Sequence, residues 1–154
     1  MFKRGALKGA LLAALAGAGI ARAQAQTPAA PAPARKRFLV HVTTGPQDPT
    51  KAALAFLVAA TALKQGHAVT LFLAGEGVRL LSAEALASVE GQGTGRLSAH
   101  LAEILAHGGR FALSGMSARA RGLGEDLIAG RPAEFAQPDA LVRLAVEADV
   151  VITY

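Results

Sequence analysis

The sequence predicts a single α/β domain, a parallel sheet of four to five strands with helices on both faces. Three observations lead there. Short apolar runs of strand length recur at Phe38–Thr43, Ala68–Ala74, Arg110–Ser114 and Asp149–Tyr154. Helix-length segments bounded by turn residues separate them. The runs are apolar without clean alternation, as expected when both faces of a sheet are covered. Strands alternating with helices in this way build parallel, doubly wound sheets.

Taken in order, FLVHVT (Phe38–Thr43) is partly β-branched and is bounded by the turn residues TGPQDP. A helix follows from Thr50 to Gln65, opened at Pro49 or Thr50, with Asp48 placed to cap it and Gly66 to close it. Between Lys51 and Lys64 its only polar side chain is Thr61. A helix apolar on nearly every side must be buried on nearly every side. One face covers the sheet, and the other needs a neighbour, expected to be another subunit. AVTLFLA (Ala68–Ala74) is the second strand, GEGVRLL a loop with a short helical turn, and Ser82–Glu90 a further helix. GQGTG (residues 91–95) reads as a flexible connection. Leu97, Leu101, Ile104 and Leu105 share one helical face, and His107-Gly108-Gly109 ends that helix. RFALS (Arg110–Ser114) is the third strand. Pro138 opens a helix with Leu141, Leu144, Ala145 and Ala148 inward, and DVVITY is the last strand.

The chain has 154 residues, room for one domain. Its first residues differ in composition from the rest. Lys3, Arg4 and Lys8 precede an uncharged Ala- and Leu-rich run from Gly9 to Ile20, and the small-x-small sites Ala21-Arg22-Ala23 and Ala23-Gln24-Ala25 follow. That order predicts a secretory signal peptide over residues 1–25, cleaved after Ala23 or Ala25, and a periplasmic or secreted protein. The apolar run of about 12 residues falls short of the roughly 20 a bilayer span needs, so no stable membrane span is expected after leader cleavage. Residues 26–37 read as a stiff, solvated Ala/Pro-rich basic linker, and the α/β domain occupies residues 38–154.

The formal charge of +5 resides in the N-terminal segments. From Phe38 onward there are 9 basic and 11 acidic side chains, so the folded part lacks the basic footprint of a nucleic-acid binder. There is no cysteine. The chain therefore forms no disulfide, carries no thiolate nucleophile and cannot build a cysteine-based metal site.

Ligands of such sheets gather outside the carboxyl ends of the strands. Two loops qualify. In TTGPQDPTK, the residues Thr43, Thr44, Gly45 and Lys51 offer hydroxyls, backbone amides and a cation that could hold an anion. A helix N-cap with Gly45 and Pro46 shaping a turn is the simpler reading. Neither a P-loop nor a dinucleotide fingerprint is present. In LSGMSARARGL, Ser114, Gly115, Ser117, Arg119 and Arg121 are the candidates. Neither serine fits G-x-S-x-G, and no histidine is tied to either by sequence, so no catalytic residue is assigned. The arginines read equally well as ion pairs with Glu125 and Asp126. His41, His67, His100 and His107 lack metal-ligand spacing, each reads as a hydrogen-bonded structural histidine, and His41 is the one expected to be buried. No metal and no cofactor is expected.

In order and spacing, FLVHVTTGPQDPTKAALAFLVA, GHAVTLFLAGEGVRLL, HGGRFALSGMSARARGL and ADVVITY resemble the DsrE/DsrF-like family of small sulfur-relay domains. The resemblance spans Phe38 to Tyr154. It implies a three-layer sandwich of DsrE-like, flavodoxin-like type, and assembly into dimers, trimers or hexamers, which agrees with an interface on the apolar helix 50–65. In sulfur-carrying members a cysteine in the third-strand loop holds sulfur as a persulfide. The matching region here is Leu113–Leu123, with Ser114 and Ser117 as equivalents. Serine cannot form a persulfide, which needs a thiolate, and the thioether of Met116 cannot substitute. Thiol-based sulfur transfer is therefore not carried over. Three expectations remain open: a non-catalytic exported oligomer that binds a small anion between Thr43–Lys51 and Ser114–Arg121, a partner subunit with a vestigial pocket, or, ranked last, an enzyme that uses serine or histidine.

Overall fold

A computed structural model describes residues 34–154. The signal-peptide reading, and most of the linker, fall outside the described residues. The element order begins with β1 (Arg37–Val42), α1 (Pro49–Lys64) and β2 (Ala68–Leu73). A 3-10 segment, Gly75–Leu81, leads to α2 (Ala83–Ser88), a short hairpin of β3 (Glu90–Gly91) and β4 (Gly95–Arg96), and α3 (Leu97–Ala106). Then come β5 (Arg110–Ser114), α4 (Gly115–Ala120), a 3-10 turn at Glu125–Leu127, β6 (Ala133–Ala136), α5 (Pro138–Glu147) and β7 (Val150–Thr153).

Five strands form one all-parallel sheet in the order β6-β5-β2-β1-β7. β1 and β2 are its centre, paired from Arg37↔Ala68 to Val42↔Leu73. The strands step outward on one side of β1 through β2, β5 and β6, and β7 closes the other side. The order therefore reverses between β1 and β7.

The two faces are covered unequally. Val40, Val42, Val69, Leu71, Leu73, Phe111 and Leu113 point to one face, under α1 and α3. Phe56 of α1 lies fully buried there with its ring centroid 6.0 Å from that of Phe111. On the other face Leu39, Phe72, Ala112 and Ala136 meet Ala140, Leu141, Leu144 and Ala148, so among the described residues α5 is the one helix against that smaller core.

α1 begins as expected. Asp48 accepts the Lys51 amide at 3.0 Å, and Pro49 occupies the first turn, where its missing N–H costs nothing. It ends with Gly66 at φ +87°, whose amide reaches the Leu63 carbonyl while His67 N reaches that of Ala62, satisfying two carbonyls of the last turn. The neighbour sought for its second apolar side is in the same chain. α3 and the β3–β4 hairpin pack against it, and Ala52, Ala53, Ala55, Phe56, Ala59, Ala60, Ala62 and Leu63 are all buried.

Three other local expectations are revised. The helix expected over Ser82–Glu90 is shorter, because Ser82 caps it by accepting the Ala85 amide and Glu90 pairs with Arg96 across the hairpin. GQGTG is a defined turn, not a loose connection: Gln92 N donates to Thr50 Oγ1 at 3.0 Å and His100 Nε2 lies 2.6 Å from the Thr94 carbonyl oxygen. In α5, Ala145 is exposed and Ala140 takes its place inward. No helix among the described residues is long and apolar enough to cross a membrane.

Phe56→Ala should cost about 3–5 kcal/mol, since it empties a ring-sized volume under α1. Urea denaturation checks this. A loss below about 1 kcal/mol would mean that the Phe56–Phe111 contact is not the centre of the larger core.

Candidate functional site

At the carboxyl end of the sheet, three loops converge. The loop after β1 carries Thr43, Thr44 and Gly45, the 3-10 segment after β2 carries Gly75, Glu76 and Gly77, and β5 runs directly into α4 with Ser114, Gly115 and Ser117. Close approach fixes the first two against each other. A Cβ on Gly45 would lie 2.6 Å from the Cβ of Glu76 and 2.7 Å from its carbonyl oxygen. One on Gly77 would overlap the carbonyl oxygen of Val42. Gly77 N donates to Thr43 O at 3.2 Å and to Ala74 O at 2.9 Å.

Glu76 is the centre of this rim. Its Oε1 accepts from Arg121 Nε at 2.9 Å and lies 2.8 Å from Arg121 Nη2. Its Oε2 lies 3.0 Å from Arg79 Nε. Arg121 Nη1 also donates to the Ser117 carbonyl at 3.0 Å, which fixes the guanidinium against α4, and its bonds to Glu76 tie α4 to the loop after β2. The carboxyl is held below the ordinary glutamate value, foremost by the Arg121 hydrogen bond, opposed by desolvation and reinforced by the charges of Arg121 and Arg79.

Both serine hydroxyls are engaged in backbone contacts. Ser114 Oγ accepts the Ser117 amide at 3.2 Å as the N-cap of α4. Ser117 Oγ accepts the Gly75 amide at 3.0 Å, a contact across 42 residues of sequence. Neither has a histidine within hydrogen-bond distance to act as a base. Thr43 Oγ1 donates to the Tyr154 carbonyl at 3.0 Å. The structure thus brings Gly45 and Arg121 to Glu76, while Ser117 joins the same rim through the Gly75 amide and Ser114 caps α4 beside it. Lys51 stands apart, exposed on the first turn of α1, and lines neither hollow beside the rim.

One hollow borders the clamp and the other borders α4. One, of about 270 Å³, is bounded by Pro46, Gln47, Glu76, Arg79 and Ser82. The other, of about 240 Å³, has Gly115, Arg119, Leu123, Glu125 and Phe135 on its walls. Arg119 is exposed, and its Nη1 lies 3.3 Å from the point a Cβ on Gly115 would occupy. It has no carboxylate within ion-pair distance among the described residues, and the expected pairs of Arg119 and Arg121 with Glu125 and Asp126 do not form.

The histidines are distributed over the fold. His67 stacks on Phe38 with centroids 5.1 Å apart and accepts the Lys36 amide at Nδ1. His107 Nδ1 lies 2.8 Å from the Glu103 carbonyl oxygen. His41 differs from the hydrogen-bonded histidine expected. It packs edge-on to Phe72, its Nε2 is buried without a partner, and burial pushes its pKa down. Burial there favours the neutral form of the imidazole, although the side chain as a whole is half-buried and not buried as expected.

The sequence profile of the DsrE/DsrF-like family matches residues 36–154, and the chain belongs to that family. It is a member without cysteine. No curated protein matches the chain. Among solved structures, the crystal structure of the YchN protein from E. coli superposes with a TM-score of 0.61 at 17% identity, covering 79% of this chain and 100% of that one. A conserved protein of unknown function from Bacteroides thetaiotaomicron superposes with a TM-score of 0.58 at 12% identity, covering 77% and 95%. At these identities the likeness is one of fold.

Because the Glu76 pKa is depressed on folding, the clamp stabilises the fold above the ordinary glutamate value of 4.5, and that contribution is lost as pH falls through the lower folded-state value. Glu76→Gln should therefore lower Tm at neutral pH and flatten its fall between about pH 5 and pH 3. A remaining slope is expected from Glu103, held down by Lys64, and from Asp149, held down by the Arg37 amide. Thermal melts across that range decide the matter; parallel curves for parent and variant would exclude an acid-sensitive clamp.

Proposed function

We propose that this chain is an exported, oligomeric DsrE-like subunit that performs no sulfur transfer of its own and acts through its surfaces. The observation that carries this reading is the closed rim at the end of β5. Where the family resemblance puts a sulfur-carrying cysteine, Ser114 and Ser117 hold backbone amides and Arg121 holds Glu76. A hydroxyl there cannot be ionised and sulfurated as a thiol is. The leader-like composition of residues 1–25 supports export to the periplasm, and a chain without cysteine is indifferent to that compartment's oxidising chemistry.

Support for assembly comes from the thinly covered face. Val142 and Val146, four residues apart on the outer side of α5, are 63% and 81% exposed, and Val151 on edge strand β7 is 50% exposed. Single exposed valines are ordinary, but a pair one helical turn apart beside an edge strand offers a surface for a second copy. Leu54, Leu57 and Val58 of α1, half-buried in one chain, are the large apolar side chains of that helix left for such a contact.

A second reading is favoured by Arg119. Its unpaired guanidinium beside Gly115 and a hollow of about 240 Å³ could hold a small anion, such as an oxidised sulfur anion, in a sulfur-metabolism context.

Native mass spectrometry on protein purified from the periplasm of a bacterial host tests both. A processed N-terminus and a discrete oligomer are expected, with Val146→Asp shifting the mass to the monomer. A monomeric parent would end the oligomer reading. An adduct lost on activation and absent from Arg119→Ala would favour the anion-binding reading over a vestigial pocket.

A further inference from the structure

The hollow of about 240 Å³ beside α4 has charges of both signs on its walls and no ion pair between them. Arg119 and Glu125 both border it and both are exposed. They do not pair with each other, and neither has another oppositely charged partner within ion-pair distance among the described residues. The chain keeps them on different elements. α4 ends at Ala120, Gly122 turns the backbone at φ +66°, and Glu125 opens the 3-10 turn that follows.

A second donor stands with Arg119. A Cβ built on Gly115 would lie 3.3 Å from Arg119 Nη1, 3.6 Å from Gln137 Nε2 and 3.7 Å from the Ala136 carbonyl oxygen. Gly115 has no side chain to fill that place, so two N–H donors come within reach of one point. Gln137 precedes α5, but its side chain accepts no amide of that helix. An acceptor oxygen over Gly115 would meet a guanidinium and a carboxamide together. Leu123 and Phe135 complete the wall, and both are half-buried, so each keeps apolar surface open.

A pair of donors, a carboxylate and an apolar wall around so small a space select a ligand that carries both charges close together. An inorganic oxyanion would use the donors and meet Glu125 with the wrong sign. An ammonium and a carboxylate on one carbon use both, bridging protein charges too far apart to pair directly. Guanidinium forks match carboxylate geometry. The volume falls below the roughly 300–1,000 Å³ of drug-sized sites, which limits the ligand to a few carbons beyond its charged groups. Taking Arg119 as the anion-binding group of the second reading above, we propose that this hollow binds a free α-amino acid with a small apolar side chain. Its carboxylate lies over Gly115 on Arg119 and Gln137, its ammonium on Glu125, and its side chain against Leu123 and Phe135.

The test is NMR titration of the isotope-labelled full chain with L-leucine. Saturable shifts are expected at the Gly115 and Gly124 amides and at the Gln137 side-chain amide. Gly115→Ala should weaken leucine about tenfold or more, because its methyl occupies the place of the carboxylate. Gly115 has no left-handed backbone, and only the flexible end of Arg119 must give way, so that variant should keep the parent Tm. If it does not, Arg119→Ala, at an exposed position, is read in its place with the same loss expected. Glu125→Gln should weaken leucine and leave isocaproate, which lacks the ammonium, no weaker. Three outcomes overturn the proposal: no shifts at these residues with leucine, leucine binding indifferent to Gly115→Ala and Arg119→Ala, or N-acetylleucine or isocaproate binding as tightly as leucine. Thiosulfate separates the two levels. Arg119-dependent binding of thiosulfate without leucine overturns the amino acid and leaves an anion site, and binding of neither removes both.

Discussion

The central strands β1 and β2 are covered on both faces, and that double burial constrains everything else in the fold. Among the described residues no polar or charged side chain is fully buried. Strand hydrogen bonding satisfies the backbone, and apart from the half-buried His41 of β1 the side chains between the layers contribute almost entirely apolar surface. A core built this way leaves no room for chemistry in its middle. Functional groups are confined to the two ends of the sheet, and the two ends differ in how their polar groups are used.

At the carboxyl end the polar groups satisfy one another. Glu76 takes two guanidinium groups, Ser117 takes the Gly75 amide, and Gly45 and Gly77 let the loops approach until little space separates them. Where the family resemblance puts a sulfur-carrying cysteine, this chain has a set of contacts that holds loops together. At the amino end Arg35, Arg37, Arg110 and Arg131 stand near Glu134 and Glu147 with few of these charges paired.

Most of the sheet is legible in the sequence, and the gaps have physical causes. β1, β2, β5 and β7 announce themselves as apolar runs because three of them pair on both sides and the fourth closes the core beside Phe38 and Val40. β6 does not. AEFA is an edge strand of four residues with a single large apolar side chain, and pairing with β5 defines it more than composition does. The all-round apolar α1 signals a need for two partners, but sequence does not distinguish an intrachain neighbour from a second subunit. In the rim, Ser114, Ser117 and Arg121 stand out because they are close in sequence. Glu76 does not, since it lies 45 residues from the arginine it holds, and only the parallel order of β2 and β5 makes them neighbours. The glycines around it in GEG are the one local sign, marking a segment with little room for side chains.

The pairing of β1 with β7 has a mechanical consequence. The chain enters the domain at the start of β1 and reaches Tyr154 at the far end of β7, and the two strands run parallel, with Phe38 beside Val150 and His41 beside Thr153. Tension between the entry point and that far end would slide one strand along the other. The load would be shared by the whole ladder at once, whereas a peeled hairpin loses its bonds in succession.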